Sequence, residues 1–302
     1  MLAIIIPYFK LTFFEATLDS LANQTDQRFK VYIGNDASPE NPADLLEKYK
    51  GKFDFKYHRF EENLGGISLT KQWERCIKLS NDEEWLMILG DDDYLSSTVV
   101  ASWYANHNVF NGKAQVIRFV TKLVFEETQT VSETYTHQVW ESATDSFYRK
   151  FEHQTRSSLS EHIFSRMSYC KYGFYDYPIA WNSDDRAWLD FSDNKPLYTI
   201  NTALIYIRLS DQSLSGSKGN EYDKNTANYH FLKYIVCSKL EYYDKYIRHR
   251  ILDRYEYSIK NSRKLFIYEW LLILFSYVKY FDYVSLKKVL KRMLKDCIKY
   301  ES

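Results

Sequence analysis

The sequence predicts an α/β fold: a mainly parallel sheet covered by helices on both faces, followed by an α-helical C-terminal region. Three observations carry this expectation. Short apolar runs alternate with segments of helical periodicity over the first hundred residues. Loops rich in glycine, proline, asparagine and aspartate follow the runs. From Tyr222 onward the chain has no proline or glycine and reads as helix throughout.

Taken in order, residues 3–6 form a β-branched strand ended by Pro7, and residues 12–22 carry helical spacing through Phe13, Ala16, Leu18 and Leu21. Residues 29–33 form a second strand before the loop Gly34-Asn35-Asp36-Ala37-Ser38-Pro39, and residues 43–49 a short helix. Phe53, Phe55, Tyr57 and Arg59 alternate with polar residues as a half-exposed third strand would. A helix over 67–79 follows the Gly65-Gly66 break, and 85–89 is a fully apolar fourth strand. A helix over 99–110 and a strand over 114–124 come next, then a polar stretch to 160 compatible with a hairpin, a helix and a mobile loop. Residues 174–191 are dense in Tyr, Trp and Asp, and 197–207 return to strand character. In the last helix Leu286, Val289, Leu290, Met293, Leu294 and Cys297 share one face, with Lys287, Lys288, Lys291, Arg292 and Lys295 opposite.

Composition narrows the function class. With 45% hydrophobic and 26% charged residues, the 302-residue chain is an ordinary globular protein. Its 18% aromatic content, with 27 Tyr, fits a surface that meets sugars or lipid interfaces, although Tyr also serves as core. The net charge of zero hides a split: residues 222–302 carry a balance of +8 and residues 1–221 one of −8. Cys76, Cys170, Cys237 and Cys297 lack CxxC spacing and read as buried free thiols of a reducing compartment. The N-terminus has no basic region or cleavage site, and the apolar stretch 265–278 is interrupted by Glu269 and too short to span a bilayer. A cytoplasmic protein is expected. An acidic body without a recognition module argues against nucleic acid as partner.

Asp91, Asp92 and Asp93 stand directly behind the fourth strand. Adjacent carboxylates repel, so three at a strand end suggest a compensating hard cation such as Mg²⁺ or Mn²⁺, a solvated acidic turn being the alternative. There is no GxSxG, HExxH, Walker A or GxGxxG, and the seven histidines show no metal-ligand spacing.

The segments IIIPYF, GNDASPEN, ENLGGISLTKQWERCIKLS and LGDDDYL occur in this order over residues 1–100, with GFYDYPIAWNSDD and YIRLSDQSLSG later. Together they resemble family 2 glycosyltransferases, inverting enzymes of the GT-A fold that serve bacterial surface-polysaccharide assembly. The resemblance implies a catalytic domain over 1–221, with a nucleotide-sugar-binding half (1–100) and an acceptor-side half (101–221), and a basic helical region over 222–302. It implies that Pro7 and Tyr8 meet the nucleoside, that Asp36 binds base or ribose, and that Asn63 and Gly65 approach the donor ahead of a helix. Bland roles stand beside these: Tyr8 as a plug of the sheet end, Asp36 as a turn stabiliser, Gly66 as a helix-start turn. The aspartate triplet corresponds to the family's DxD element, with Asp93 and Asp91 as metal ligands and Asp91 and Asp92 toward the nucleotide sugar. The family commonly has aspartate where Gly90 stands and glycine where Ala37 stands. Asp185 is implied as catalytic base with Asp184 as rival, both also suited to a helix N-terminus capped by Ser183. Trp181 and Trp188 would stack on sugar or serve as core, Arg208 would meet the diphosphate or be an exposed strand-end cation, and Ser213 and Ser215 would belong to a closing loop. The implied partners are a nucleotide-sugar donor, with UDP the favoured nucleotide, and a glycan or lipid-linked acceptor. Peripheral contact of the basic helices with the inner face of the membrane is a further expectation, against simple packing of those helices. A catalytically degenerate binding module and a metal-dependent nucleotidyltransferase are the competing classes.

Overall fold

A computed structural model describes residues 1–210 and 219–298, which fall into two compact units, Met1–Asn220 and Glu221–Ser302. The first opens with β1 (Leu2–Tyr8), α1 (Phe14–Ala22), β2 (Phe29–Asn35), α2 (Ala43–Glu47), β3 (Phe55–Arg59), α3 (Leu69–Ile77) and β4 (Trp85–Ile88). It continues through β5 (Tyr94–Leu95), α4 (Val99–Phe110), β6 (Val116–Phe125), β7 (Thr130–Val131), β8 (Trp140–Glu141) and α5 (Ala143–Phe151). β9 (His162–Ser165), α6 (Arg166–Tyr172), α7 (Ser183–Phe191) and β10 (Leu197–Leu209) complete it. The second unit consists of α8 (Glu221–Ser238), α9 (Lys245–Lys260), α10 (Ile267–Lys279) and α11 (Tyr283–Ile298) among the described residues.

One sheet runs through the first unit in the order β3-β2-β1-β4-β9-β6-β10-β5. β1 to β4 are parallel, as the alternation of elements predicts, and their side chains are buried on both faces of β1 and β4. The sheet is mixed beyond that point. β9 pairs antiparallel with both β4 and β6, and β6 and β10 are parallel to each other. β9 has only four residues, too few to show a period, which is why the sequence does not announce it.

Pro7 does not end the first strand. β1 continues to Tyr8, with Pro7 opposite Gly34 and Tyr8 opposite Asn35. The pairing with β4 stops at Ile5 opposite Ile88, so residues 6–8 have a ladder on one side only and a missing N–H is tolerated there. This parting of β1 and β4 opens the crevice in which the aspartates stand. The cysteines are free, but Cys170 and Cys237 are exposed and only Cys76 of the three is buried; the side chain of Cys297 lies outside the described residues.

Candidate active site

A cavity of about 500 Å³ opens where β1 and β4 part. Pro7 and Phe9 from the end of β1, Asp91, Asp92 and Asp93 from the end of β4, and Arg208 from β10 form one wall. Trp181, Asp184 and Asp185 from the start of α7 and Lys150 from α5 form another, with Arg156 to Ser160 between them. Two acidic groups far apart in sequence therefore share one space.

The triplet is built into the fold. Asp91 Oδ2 accepts hydrogen bonds from the backbone N–H groups of Phe9 (2.7 Å) and Lys10 (2.8 Å), tying β4 to the chain after β1. Asp93 Oδ1 accepts one from the Arg208 backbone (2.9 Å), and Thr17 Oγ1 donates to the Asp93 carbonyl (2.8 Å). Burial, and then the charge of Asp92, push the carboxyls of Asp91 and Asp93 up to about 7. Carboxylates held in this way gain from a nearby cation. Among the described residues no three His, Cys, Asp or Glu side chains gather into a metal cage. Mg²⁺ and Mn²⁺ are commonly held by one or two carboxylates with the remaining positions left to phosphate and water, and Asp91 and Asp93 fit that arrangement as oxygen-only donors.

Arg208 is not an exposed strand-end cation. Its guanidinium forms an ion pair with Glu126, lies 4.3 Å from the Phe13 ring centroid and donates from Nε to the Asp92 carbonyl (2.9 Å). It lines the cavity from that tethered position.

The nucleotide-side loops are arranged differently from the sequence expectation. Tyr8 is fully buried, with its ring 4.7 Å from Phe14 and its hydroxyl donating to the Glu40 carbonyl (3.0 Å). It plugs the sheet end and has no free face on which a base could stack. Asp36, 4% exposed, accepts from the backbone N–H groups of Leu64 and Gly65 (both 2.8 Å) and pairs with Arg75. Its carboxylate fastens the loop after β3 to the loop after β2. Gly65 permits this closeness, since a Cβ there would stand 2.5 Å from Asp36 Oδ2. Asn63 is exposed and accepts from the Gly66 backbone (2.7 Å), which shapes the turn into α3. Tyr8, Asp36, Asn63 and Gly65 lie outside the cavity lining, whereas Pro7 belongs to it.

On the opposite wall, α7 begins after a strained turn. Ile179, Ala180 and Asn182 all have left-handed backbone, with φ of 49°, 55° and 64°. Asn182, not Ser183, occupies the cap position, and it makes no side-chain cap bond. The helix start places Asp184 and Asp185 toward the cavity. Lys150 Nζ lies 2.6 Å from each oxygen of Asp185. The carboxyl of Asp184 is pushed up to about 7 by burial and then by the charge of Asp185. The two tryptophans separate in role. Trp181 lines the cavity, while Trp188 is core, stacked on His162 at 4.1 Å between centroids. Ser213 and Ser215 lie outside the described residues.

Lys150 and Ser160 are cavity residues that sequence reasoning does not find. Ser160 accepts a hydrogen bond from the Gly90 backbone (3.1 Å) and hydrogen-bonds Asp93. Neither sits in a motif, and both reach the cavity only through folding of the stretch between β8 and β9.

Comparison with known proteins identifies the family and the fold. The profile of glycosyl transferase family 2 matches residues 3–170, more than half of the chain. Among solved structures, residues 1–349 of S. aureus TarS in complex with UDP-GlcNAc share 15% identity over 91% of this chain and 79% of that one, with a TM-score of 0.65. The same TarS fragment in complex with UDP gives 14% identity, coverage of 97% and 91%, and a TM-score of 0.56. Against S. aureus TarS in a longer form the coverage is 91% of this chain and 47% of that one, at 15% identity and a TM-score of 0.61. No curated protein matches the chain by sequence.

Proposed function

Because the chain belongs to glycosyl transferase family 2 and is a glycosyltransferase of the GT-A fold with a helical C-terminal region, we propose that it moves a sugar, with inversion, from a UDP-sugar to a hydroxyl of a glycan or lipid-linked acceptor in cell-surface polysaccharide assembly. The observation that carries this reading is the single cavity joining the aspartate triplet to the separate acidic pair. The two carboxylate groups suit two different tasks. The TarS complexes with UDP and UDP-GlcNAc support a uridine nucleotide as the donor's carrier.

In this reading catalysis belongs to residues 1–221, with Pro7, Asp91, Asp92 and Arg208 around the donor. Asp36, Asn63 and Gly65 shape the nucleotide-side loops, and Tyr8 supports them from the core. Asp93 and Asp91 would hold Mn²⁺ or Mg²⁺, which when bound supplies positive charge against the diphosphate. Asp185 takes the proton from the acceptor hydroxyl as its oxygen bonds to the anomeric carbon. The bond from that carbon to the diphosphate breaks, and its electron pair leaves with UDP. Asp184 adjoins the base, and Trp181 offers an aromatic face to a sugar ring.

The reading also places the enzyme at the cytoplasmic face of a membrane. α10 exposes Ile267, Leu271, Phe275 and Val278, spaced along one face. The acids of α10 and its C-terminal turn are withdrawn: Glu269 pairs with Arg263, and Asp282 with Lys245 and His249. Lys279, Lys287, Lys288, Lys291 and Lys295 stay exposed. Apolar side chains beside lysines match an anionic lipid surface. No helix among the described residues is long and apolar enough to cross a membrane.

A screen of sugar nucleotides with Mn²⁺ tests the enzymatic reading. The wild type should hydrolyse one donor slowly and transfer it when acceptor is present. Asp93→Ala should lose metal-stimulated turnover, and Asp185→Asn should lose transfer by about 100-fold or more while donor binding survives. Normal transfer by Asp185→Asn would remove Asp185 from the role of base.

A further inference from the structure

Lys150 sits in the last turn of α5, a helix fixed at its start by Ser142, whose hydroxyl accepts from the Asp145 backbone (3.0 Å). Its ammonium grips both oxygens of Asp185 at 2.6 Å, with the Lys150 side chain 30% exposed and that of Asp185 6%. Long lysine side chains are seldom drawn inward without a partner, and this one reaches the wall of the cavity where the acceptor's proton has to go.

We propose that Lys150 is a positioning residue for transfer: the internal counter-ion that fixes the Asp185 carboxylate and opposes proton uptake by Asp184 beside it. This rests on the reading of that pair as the source of the base.

The surrounding charges define how much Lys150 has to do. Asp184 and Asp185 are consecutive at the start of α7, and Glu161, just before β9, adds a third negative charge facing Asp184. Arg156 faces Lys150, but its guanidinium is taken by Glu161 (2.6 Å) and Thr121 (3.0 Å). His162 is buried behind the site, bonded through Nδ1 to the Ser158 carbonyl (2.8 Å), and burial holds its ring neutral well below the usual histidine range. Among the described residues Lys150 is the cation in ion-pair contact with the acidic pair. Two adjacent carboxylates without a cation share a proton, because neither can ionise cheaply beside the other. Burial and the charge of Asp185 already lift Asp184 to about 7, and Lys150 pulls against that lift. Burial works against the charge on Lys150 itself, but Asp185 and Asp184 outweigh it and hold the ammonium above its ordinary value.

The test compares full-length wild type, Lys150→Met and Lys150→Arg from pH 5.5 to 9. In wild type, transfer should show an acidic limb at about pH 7, set by ionisation of Asp184 beside the base. In Lys150→Met the acidic limb should move up by about one pH unit or more, with turnover at pH 7 down about 5-fold or more and the donor KM within about twofold. Lys150→Arg should restore the limb. A limb that stays in place in Lys150→Met, or a fall in rate equal at every pH, overturns the proposal. Infrared titration of the protonated carboxyl band, assigned by its loss in Asp184→Asn, reads the same equilibrium without turnover. The band should persist to higher pH in Lys150→Met, and identical titration in both proteins overturns the counter-ion role even if no donor is ever turned over. Should the Met variant not fold, Lys150→Gln makes the same comparison.

Discussion

An ideal Cβ at Gly90 would lie 2.8 Å from Asp92 Oδ1 and 3.2 Å from Asp93 Oδ2. Gly90→Ala should therefore push both carboxylates aside, costing about 10-fold or more in kcat/KM. The melting temperature should fall as well, because Asp93 is buried and tied to the Arg208 backbone; activity assays beside a melting curve check both. The same aspartates explain why the triplet was legible: three like charges in a row are visible without a structure. Lys150 was not legible, because a lysine in a polar stretch looks like any solvated lysine until α5 packs on α7. Asp184 gives the pH prediction at this scale. Its carboxyl lies near 3.8 in the unfolded chain and at about 7 in the fold, so between those values the folded state holds a proton that the unfolded state has released. Stability from this group is thus lost as pH rises through that window. In ligand-free protein the melting temperature of Asp184→Asn relative to wild type should be higher at pH 8 than at pH 5. A difference independent of pH would contradict the raised carboxyl.

Elements were read well where their period is long and their faces unequal. α4 occupies 99–110 as its spacing predicts, and β4 ends within a residue of its apolar run. β5 and β9 escaped because two and four residues carry no period. Tyr8 and Trp188 carry chemistry that a ligand site and a core both want, and only burial distinguishes the two uses. Ala37 adopts φ of 52°, a left-handed backbone that costs a side-chain-bearing residue about 1 kcal/mol. Ala37→Gly should leave the loop in place and shift stability by less than about 1 kcal/mol upward, since the relief is partly offset by the freer unfolded chain. Urea denaturation measures it. A larger effect is expected where β6, β8 and α5 meet. Glu141 bridges Arg118 (2.8 Å) and Arg149 there, and the Arg118 side chain is 1% exposed. Glu141→Ala strands that arginine and should cost about 3–5 kcal/mol, read as a fall in the urea midpoint at unchanged slope.

For the whole molecule, composition announced a division of labour that no single motif carried, an acidic body and a basic tail. The sequence shows an apolar face on the last helix, but the larger exposed one lies on α10, because Glu269 in that stretch is buried against Arg263 and does not face solvent. Leu271→Glu with Phe275→Glu should therefore reduce pelleting with phosphatidylglycerol vesicles at least several-fold at unchanged donor hydrolysis. Equal pelleting would mean that the face serves another partner. The parting of β1 from β4 after Ile5 and Ile88 bears on more than the position of the aspartates. The cleft is fixed by hydrogen-bond register, the most stubborn feature of a sheet, while the far wall is supplied by connecting segments. Exchanging residues between β8 and β9 other than Lys150 and Ser160 should therefore change which acceptor is chosen without moving the place where its hydroxyl is delivered. The scaffold sets an address, and the connections decide who may call there.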